Sequence, residues 1–136
     1  PEGPSVDFQG NFIRGAFPGT AARMAMFCEA APVLAQKGVD GLRLGDDATR
    51  ITHLVVATCT GFSAPGIDLD LVRRCSLSDR VERTMIGFMG CYAAINALKL
   101  ARHIVRSDPK ARVLVVNIET CTLHLRETAE LEKLLS

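Results

Sequence analysis

The 136-residue chain has almost no charge excess, no C-x-x-C pair, no internal repeat and no low-complexity segment. Its 16 Lys and Arg oppose 15 Asp and Glu for a formal net charge of +1, and the signs are interspersed, which argues against a nucleic-acid surface. Arg73-Arg74 and the stripe Lys99, Arg102, His103 and Arg106 read as solvated faces. No apolar run approaches the roughly eighteen residues of a membrane span, and no secretory leader pattern opens the chain, so a soluble cytoplasmic protein is expected. The five cysteines are odd in number and sit mostly in apolar segments, which excludes a disulfide framework and a zinc site as first readings. His53, His103 and His124 are not spaced as ligand pairs, so neither a metal nor a bound cofactor is expected.

What is present is 48% hydrophobic and long enough for one domain with a real core. Residues 1–19 are rich in Gly and Pro and carry Phe8, Phe12 and Phe17, the pattern of a loop segment that must pack on something. From Thr20, Met24, Phe27, Ala31, Leu34, Gly38 and Leu42 recur at helical steps, with Pro32 expected to kink or divide the helix and Gly45-Asp46-Asp47 to end it. Residues 51–58 form a Val-rich run apolar on both faces, as in a central parallel strand, and 111–118 repeat the pattern. Residues 61–66 read as a loop, Ile67 to Cys75 as a short amphipathic helix, and Val81 to Phe88 as a strand. A helix over residues 91–106, with Ala94, Ile95, Leu98, Ala101 and Val105 on its apolar side, stops at Asp108-Pro109. Glu127 to Ser136 is helical in propensity. Alternating strands and helices predict an α/β layered domain with right-handed crossovers.

The most informative stretch is Gly87-Phe88-Met89-Gly90-Cys91-Tyr92, where a cysteine follows a Gly-x-x-Gly turn and opens an Ala-rich helical run. Glycines permit a sharp bend there, and the unpaired N–H groups of a helix start favour negative charge, which raises the thiolate fraction of a cysteine so placed. The helical projection puts Cys91 on the apolar side, pointing inward. On this local pattern alone, a nucleophile and a small space-filling thiol both remain open.

Four stretches taken together resemble the type III polyketide synthases, the chalcone-synthase-like family. They are Ile51-Thr52-His53-Leu54-Val55; Thr58-Cys59-Thr60-Gly61 with Pro65-Gly66 after it; Gly90-Cys91-Tyr92-Ala93-Ala94; and Ala111 to Val116 followed by Glu119-Thr120-Cys121-Thr122-Leu123-His124. The wording is closer to bacterial members making alkylresorcinols, alkylpyrones or naphthols than to plant enzymes. The resemblance implies a thiolase fold (layered αβαβα), a homodimer, and Cys91 as the nucleophile that accepts an acyl starter from coenzyme A, here expected to be a medium or long fatty acyl group, before decarboxylative condensation with malonyl-CoA. It implies further that Cys59, Thr60, Cys121 and His124 line the acyl cavity, and that Ala64 is the tip of a loop reaching toward the neighbouring subunit, where plant members carry methionine.

The same resemblance implies a histidine and an asparagine from a second half of the fold, and none of His53, His103 or His124 matches that histidine. Residues 20–136 are therefore expected to be part of an N-terminal thiolase-like domain, an incomplete half that is inactive alone. A ketoacyl synthase of fatty-acid initiation, a hydroxymethylglutaryl-CoA synthase and a non-catalytic interaction fragment are the alternatives.

Overall fold

The computed structural model describes residues 3–128 and 130. In chain order these form α1 (Thr20–Asp40), a 3₁₀ turn (Gly45–Arg50), β1 (His53–Thr58), α2 (Ile67–Arg74), β2 (Glu82–Gly87), a 3₁₀ turn (Gly90–Tyr92), α3 (Ala93–Ser107), β3 (Val113–Asn117) and a 3₁₀ turn (Cys121–His124). The strands make one parallel sheet in the order β2-β1-β3, with Thr58 opposite Gly87 and Ala57 opposite Asn117. From β1 the chain moves to one edge and then returns past β1 to the other. Two crossovers of the same hand that move in opposite directions must lie on opposite faces, and α2 and α3 do.

The period-two alternation of β1 sorts the layers. Leu54 and Val56 join a core with α1 and α2, whereas Val55 and Ala57 meet Ala93 and Ala97 of α3. As the central strand, β1 is buried from Leu54 to Thr58, as its both-faces-apolar run predicts. Among the edge strands, β3 differs from the expected burial on both faces. β3 buries Leu114 and Val116 but leaves Val113 and Val115 half-buried and Asn117 exposed, while β2 is exposed from Glu82 to Met85. An apolar run marks a strand without revealing whether a helix will cover both of its faces.

α1 is one unbroken helix through Pro32, not two. Proline removes one backbone bond, but Phe27 and Ala31 before it and Ala35 and Val39 after it lock both halves onto the same core. The buried row thus runs at four-residue steps, and Leu34 and Leu42 of the expected stripe are exposed along an open groove beside β3. The helix ends at Asp40, before the anticipated Gly45-Asp46-Asp47, and Gly41 donates its N–H to the Lys37 carbonyl. α3 also differs. Its sheet-facing row is Ala93, Ala97, Leu100 and Ile104, so Ile95, Leu98 and Val105 of the expected apolar side are left exposed.

Of the three phenylalanines in the N-terminal loop, two pack. Phe12 is buried, edge-on to Phe17 at 5.3 Å, with the Arg23 guanidinium 5.6 Å over its ring, and Phe8 is fully exposed. Asp7 organises this loop by accepting from the Phe12 and Asn11 amides. Asp68, at the start of α2, is buried and paired with Arg83 of β2 at 2.7 Å, which ties the 61–66 loop's exit to the sheet. In the expected C-terminal helix, Glu127, Thr128 and Glu130 are not helical; residues 129 and 131–136 lie outside the described residues. No described helix is long and apolar enough to cross a membrane.

Candidate active site

Parallel strands point all their carboxyl ends to one side of the molecule, so the turns after β1, β2 and β3 gather there. The β1 turn leaves toward α2 on one face, and the adjacent β2 turn leaves toward α3 on the other. Turns of adjacent strands that leave toward opposite faces mark a topological switch point, the kind of place where ligands bind in open α/β sheets. Cys59 follows β1 and Cys91 follows β2 at that point.

The β2 turn is bent by positive φ at Phe88 (56°) and Gly90 (71°). It continues as the single 3₁₀ turn Gly90–Tyr92 into α3, whose start has no side-chain cap. Cys91 is exposed, contrary to the inward orientation read from the helical projection. The reason is local: Cys91 precedes α3, in a tighter turn to which the 100° wheel of the α-helix does not apply. Phe88, Met89 and Tyr92 around it are exposed as well.

The β1 turn is held far more firmly. Cys59 is half-buried; its N–H donates to the Glu119 carboxylate at 2.8 Å, and its thiol donates to the Gly90 carbonyl at 3.2 Å, one residue before Cys91. Thr60 is buried, its hydroxyl donating to the other Glu119 oxygen and accepting from the Thr120 N–H at 3.0 Å. Gly61 lies against the Phe27 ring, which leaves no room for a Cβ. Thr58, at the end of β1, is buried with no hydrogen-bond partner for its hydroxyl.

The other residues singled out are more open. Cys121 and His124 bound the 3₁₀ turn after β3 and are both exposed. That turn is anchored through Leu123, whose carbonyl accepts from Arg23 at 2.7 Å. Ala64 is exposed in the 61–66 loop. The structure thus brings Cys59 against the Cys91 turn and Thr60 against Glu119, while among the described residues no hydrogen bond links the side chain of Cys121 or His124 to them. Glu119 went without a role in the sequence reading. Its one signal is a carboxylate directly after a buried strand, and its partners lie about sixty residues away in the chain.

His53 begins β1, at the opposite end of a strand of about 16 Å, where its ring nitrogen meets the Thr52 hydroxyl at 2.8 Å. His103 lies exposed three turns along α3, about 18 Å from Cys91. Neither is placed to assist Cys91. Among the described residues no group of three His, Cys, Asp or Glu side chains could hold a metal.

A three-layer α/β unit with a cysteine at its sheet switch point is the class of structure these observations define. The chalcone and stilbene synthase N-terminal domain matches residues 10–135, and the chain belongs to that family, the type III polyketide synthases. It is 42% identical over 106 residues to the alpha-pyrone synthesis polyketide synthase-like Pks18 of Mycobacterium tuberculosis, covering 75% of this chain and 26% of that protein. It is 36% identical over 115 residues to bisdemethoxycurcumin synthase of Oryza sativa subsp. japonica, covering 83% of this chain and 29% of the relative. The crystal structure of the C-terminal type III polyketide synthase domain of Steely1, a type I/III hybrid from Dictyostelium, superposes with a TM-score of 0.75 at 31% identity over 85% of this chain and 32% of that one. The chain therefore spans about a quarter to a third of the length of these relatives, and the expected layered fold is present as its N-terminal portion.

Proposed function

We propose that this chain is the nucleophile-bearing part of an acyltransferase that loads an acyl group from a coenzyme A thioester onto Cys91 and extends it with malonyl-CoA. The observation that carries the reading is the exposed Cys91 on a glycine-bent turn at the sheet's switch point, in a chain of this family. The Cys91 thiolate attacks the acyl carbonyl and coenzyme A leaves as its thiolate. Malonyl-CoA then loses carbon dioxide, and the carbanion so formed attacks the Cys91 thioester. A carbon–carbon bond forms, the carbon–sulfur bond breaks, and Cys91 is released with the product on coenzyme A. The uncapped start of α3 presents backbone N–H groups that favour the negative charge developing beside it.

The reaction also needs donors at the thioester oxygen, and removal of one such donor in other enzymes costs about a hundredfold to a thousandfold in rate. With His53 and His103 remote, those donors come in this reading from further polypeptide, which packs over Phe88, Tyr92, Ile95 and Leu98. The working unit is then a cytoplasmic homodimer, with the Ala64 loop toward the second subunit. Cys59 and Cys121 are small thiols near the strand ends, and with Ala64 at the loop tip they favour a medium or long fatty acyl starter over an aromatic one.

Incubating the whole polypeptide with decanoyl-CoA and mapping the adduct by mass spectrometry tests the assignment. Acylation at Cys91 is expected; labelling of Cys59 or Cys121 with Cys91 untouched would overturn it. Specificity constants test the starter, and a preference for a coumaroyl over a decanoyl thioester would reverse that part.

A further inference from the structure

The three parallel strands end on one side of the sheet, and one carboxylate ties two of their ends together. Glu119 extends from the end of β3 and receives both the Cys59 amide and the Thr60 hydroxyl of the β1 turn. Thr60 closes the loop by accepting from the backbone of Thr120, next to Glu119. The chain of contacts does not stop there, because the Cys59 thiol donates to the carbonyl of Gly90, the residue that carries positive φ immediately before Cys91. We infer that Glu119 is a positioning residue: by clamping Cys59 and Thr60 it fixes the surface on which the Cys91 turn rests. This rests on the reading of Cys91 as the acyl acceptor.

The geometry distinguishes placement from chemistry. Among the described residues no hydrogen bond joins Glu119 to Cys91; Glu119 reaches the turn through Cys59. A glutamine has the same length, accepts from the Cys59 amide through its carbonyl and donates to the Thr60 oxygen, whose hydroxyl hydrogen is free to turn elsewhere. An alanine can do neither. If placement is the role, Glu119→Gln keeps function and Glu119→Ala loses it; a role in proton transfer or charge would be lost in both.

The experiment compares Glu119→Gln, Glu119→Ala and Thr60→Val in the whole polypeptide, reading malonyl-CoA turnover and amide hydrogen exchange across residues 58–61. Glu119→Ala is expected to lower kcat by about ten- to a hundredfold with KM within about threefold, the scale of loss that follows a small misplacement of reacting groups. Exchange at Cys59 should rise in the same variant. Glu119→Gln should hold kcat within about threefold and keep the exchange protection, and Thr60→Val should fall between the two. A Glu119→Gln variant as slow as Glu119→Ala, or Glu119→Ala with unchanged exchange at Cys59, would overturn the clamp. Failure of the functional reading shows separately, as a wild-type protein with no acyl adduct on Cys91 whose exchange pattern still responds to Glu119.

Discussion

On the α1 and α2 side of the sheet, fifteen buried residues from both helices, β1, β3 and the connecting segments form one cluster. On the α3 side only Val55, Ala57, Ala93 and Ala97 are buried, with half-buried residues around them, and Tyr92, Ile95, Leu98 and Val105 face outward. What separates the two sides is cover: one side is sealed by two helices of this chain, and the other by a single helix whose outer surface meets nothing in the described residues. The strand ends repeat the contrast, with the β1 turn tied to Glu119 and packed on Phe27 while Cys91 in the β2 turn is exposed. On the proposed reading of Cys91 as acyl acceptor a substrate must reach it, which the open side allows and the sealed side does not.

The sharpest test of that division is Cys91→Ala in the whole polypeptide. Turnover should fall by at least about a thousandfold while circular dichroism and the unfolding midpoint stay unchanged, because the thiol supports no core contact. A variant that still condenses malonyl-CoA would remove the open side's claim. On the sealed side Phe27→Ala should cost about 3–5 kcal/mol in urea unfolding, since Phe27 is fully buried and stands against Gly61. A loss below about 1 kcal/mol, the ordinary cost of a substitution, would mean that the two sides do not differ as described.

Residues 1–136 expressed alone test the missing cover. The apolar surface of α3 and the bare edges of β2 and β3 should drive association, with no malonyl-CoA turnover. Replacing Phe88, Ile95 and Leu98 by Ser should return the segment to a monomer in size-exclusion chromatography, whereas the unmodified segment eluting as a monomer would contradict the account. The smallest effect is expected at the N-terminal loop. The Phe12 amide, with lesser help from the Ser5 hydroxyl and the Asn11 amide, holds the Asp7 carboxyl below its ordinary value of 3.8. A depressed folded-state pKa gives a stabilisation that is complete above the ordinary value and lost as the pH falls through the depressed one. Amide exchange at Phe12 should therefore be slow at pH 6 relative to the intrinsic rate and lose protection toward pH 2; protection independent of pH would exclude the Asp7 link.

Local chemistry alone determined the strand positions, the α/β alternation, the glycine turn before Cys91 and the stop at Asp108-Pro109. Each of these depends on the residues within a few positions of itself: valine runs pair as strands, glycine admits positive φ, and proline cannot continue a helix. Tertiary structure decided the rest. Whether α1 would bury Leu34 or Ala35, and α3 Ile95 or Ala97, depended on where the sheet and α2 lay, because both rows fit a helical period equally well. Pro32 remained within one helix because contacts on both sides of it outweighed a single lost bond. Glu119 became a clamp only when parallel pairing carried the end of β3 alongside the end of β1, and Cys91 became accessible because a 3₁₀ turn, not the first turn of α3, carries it. Periodicity tells a residue which element it joins; which neighbour it meets is set by the packing of elements far apart in the chain.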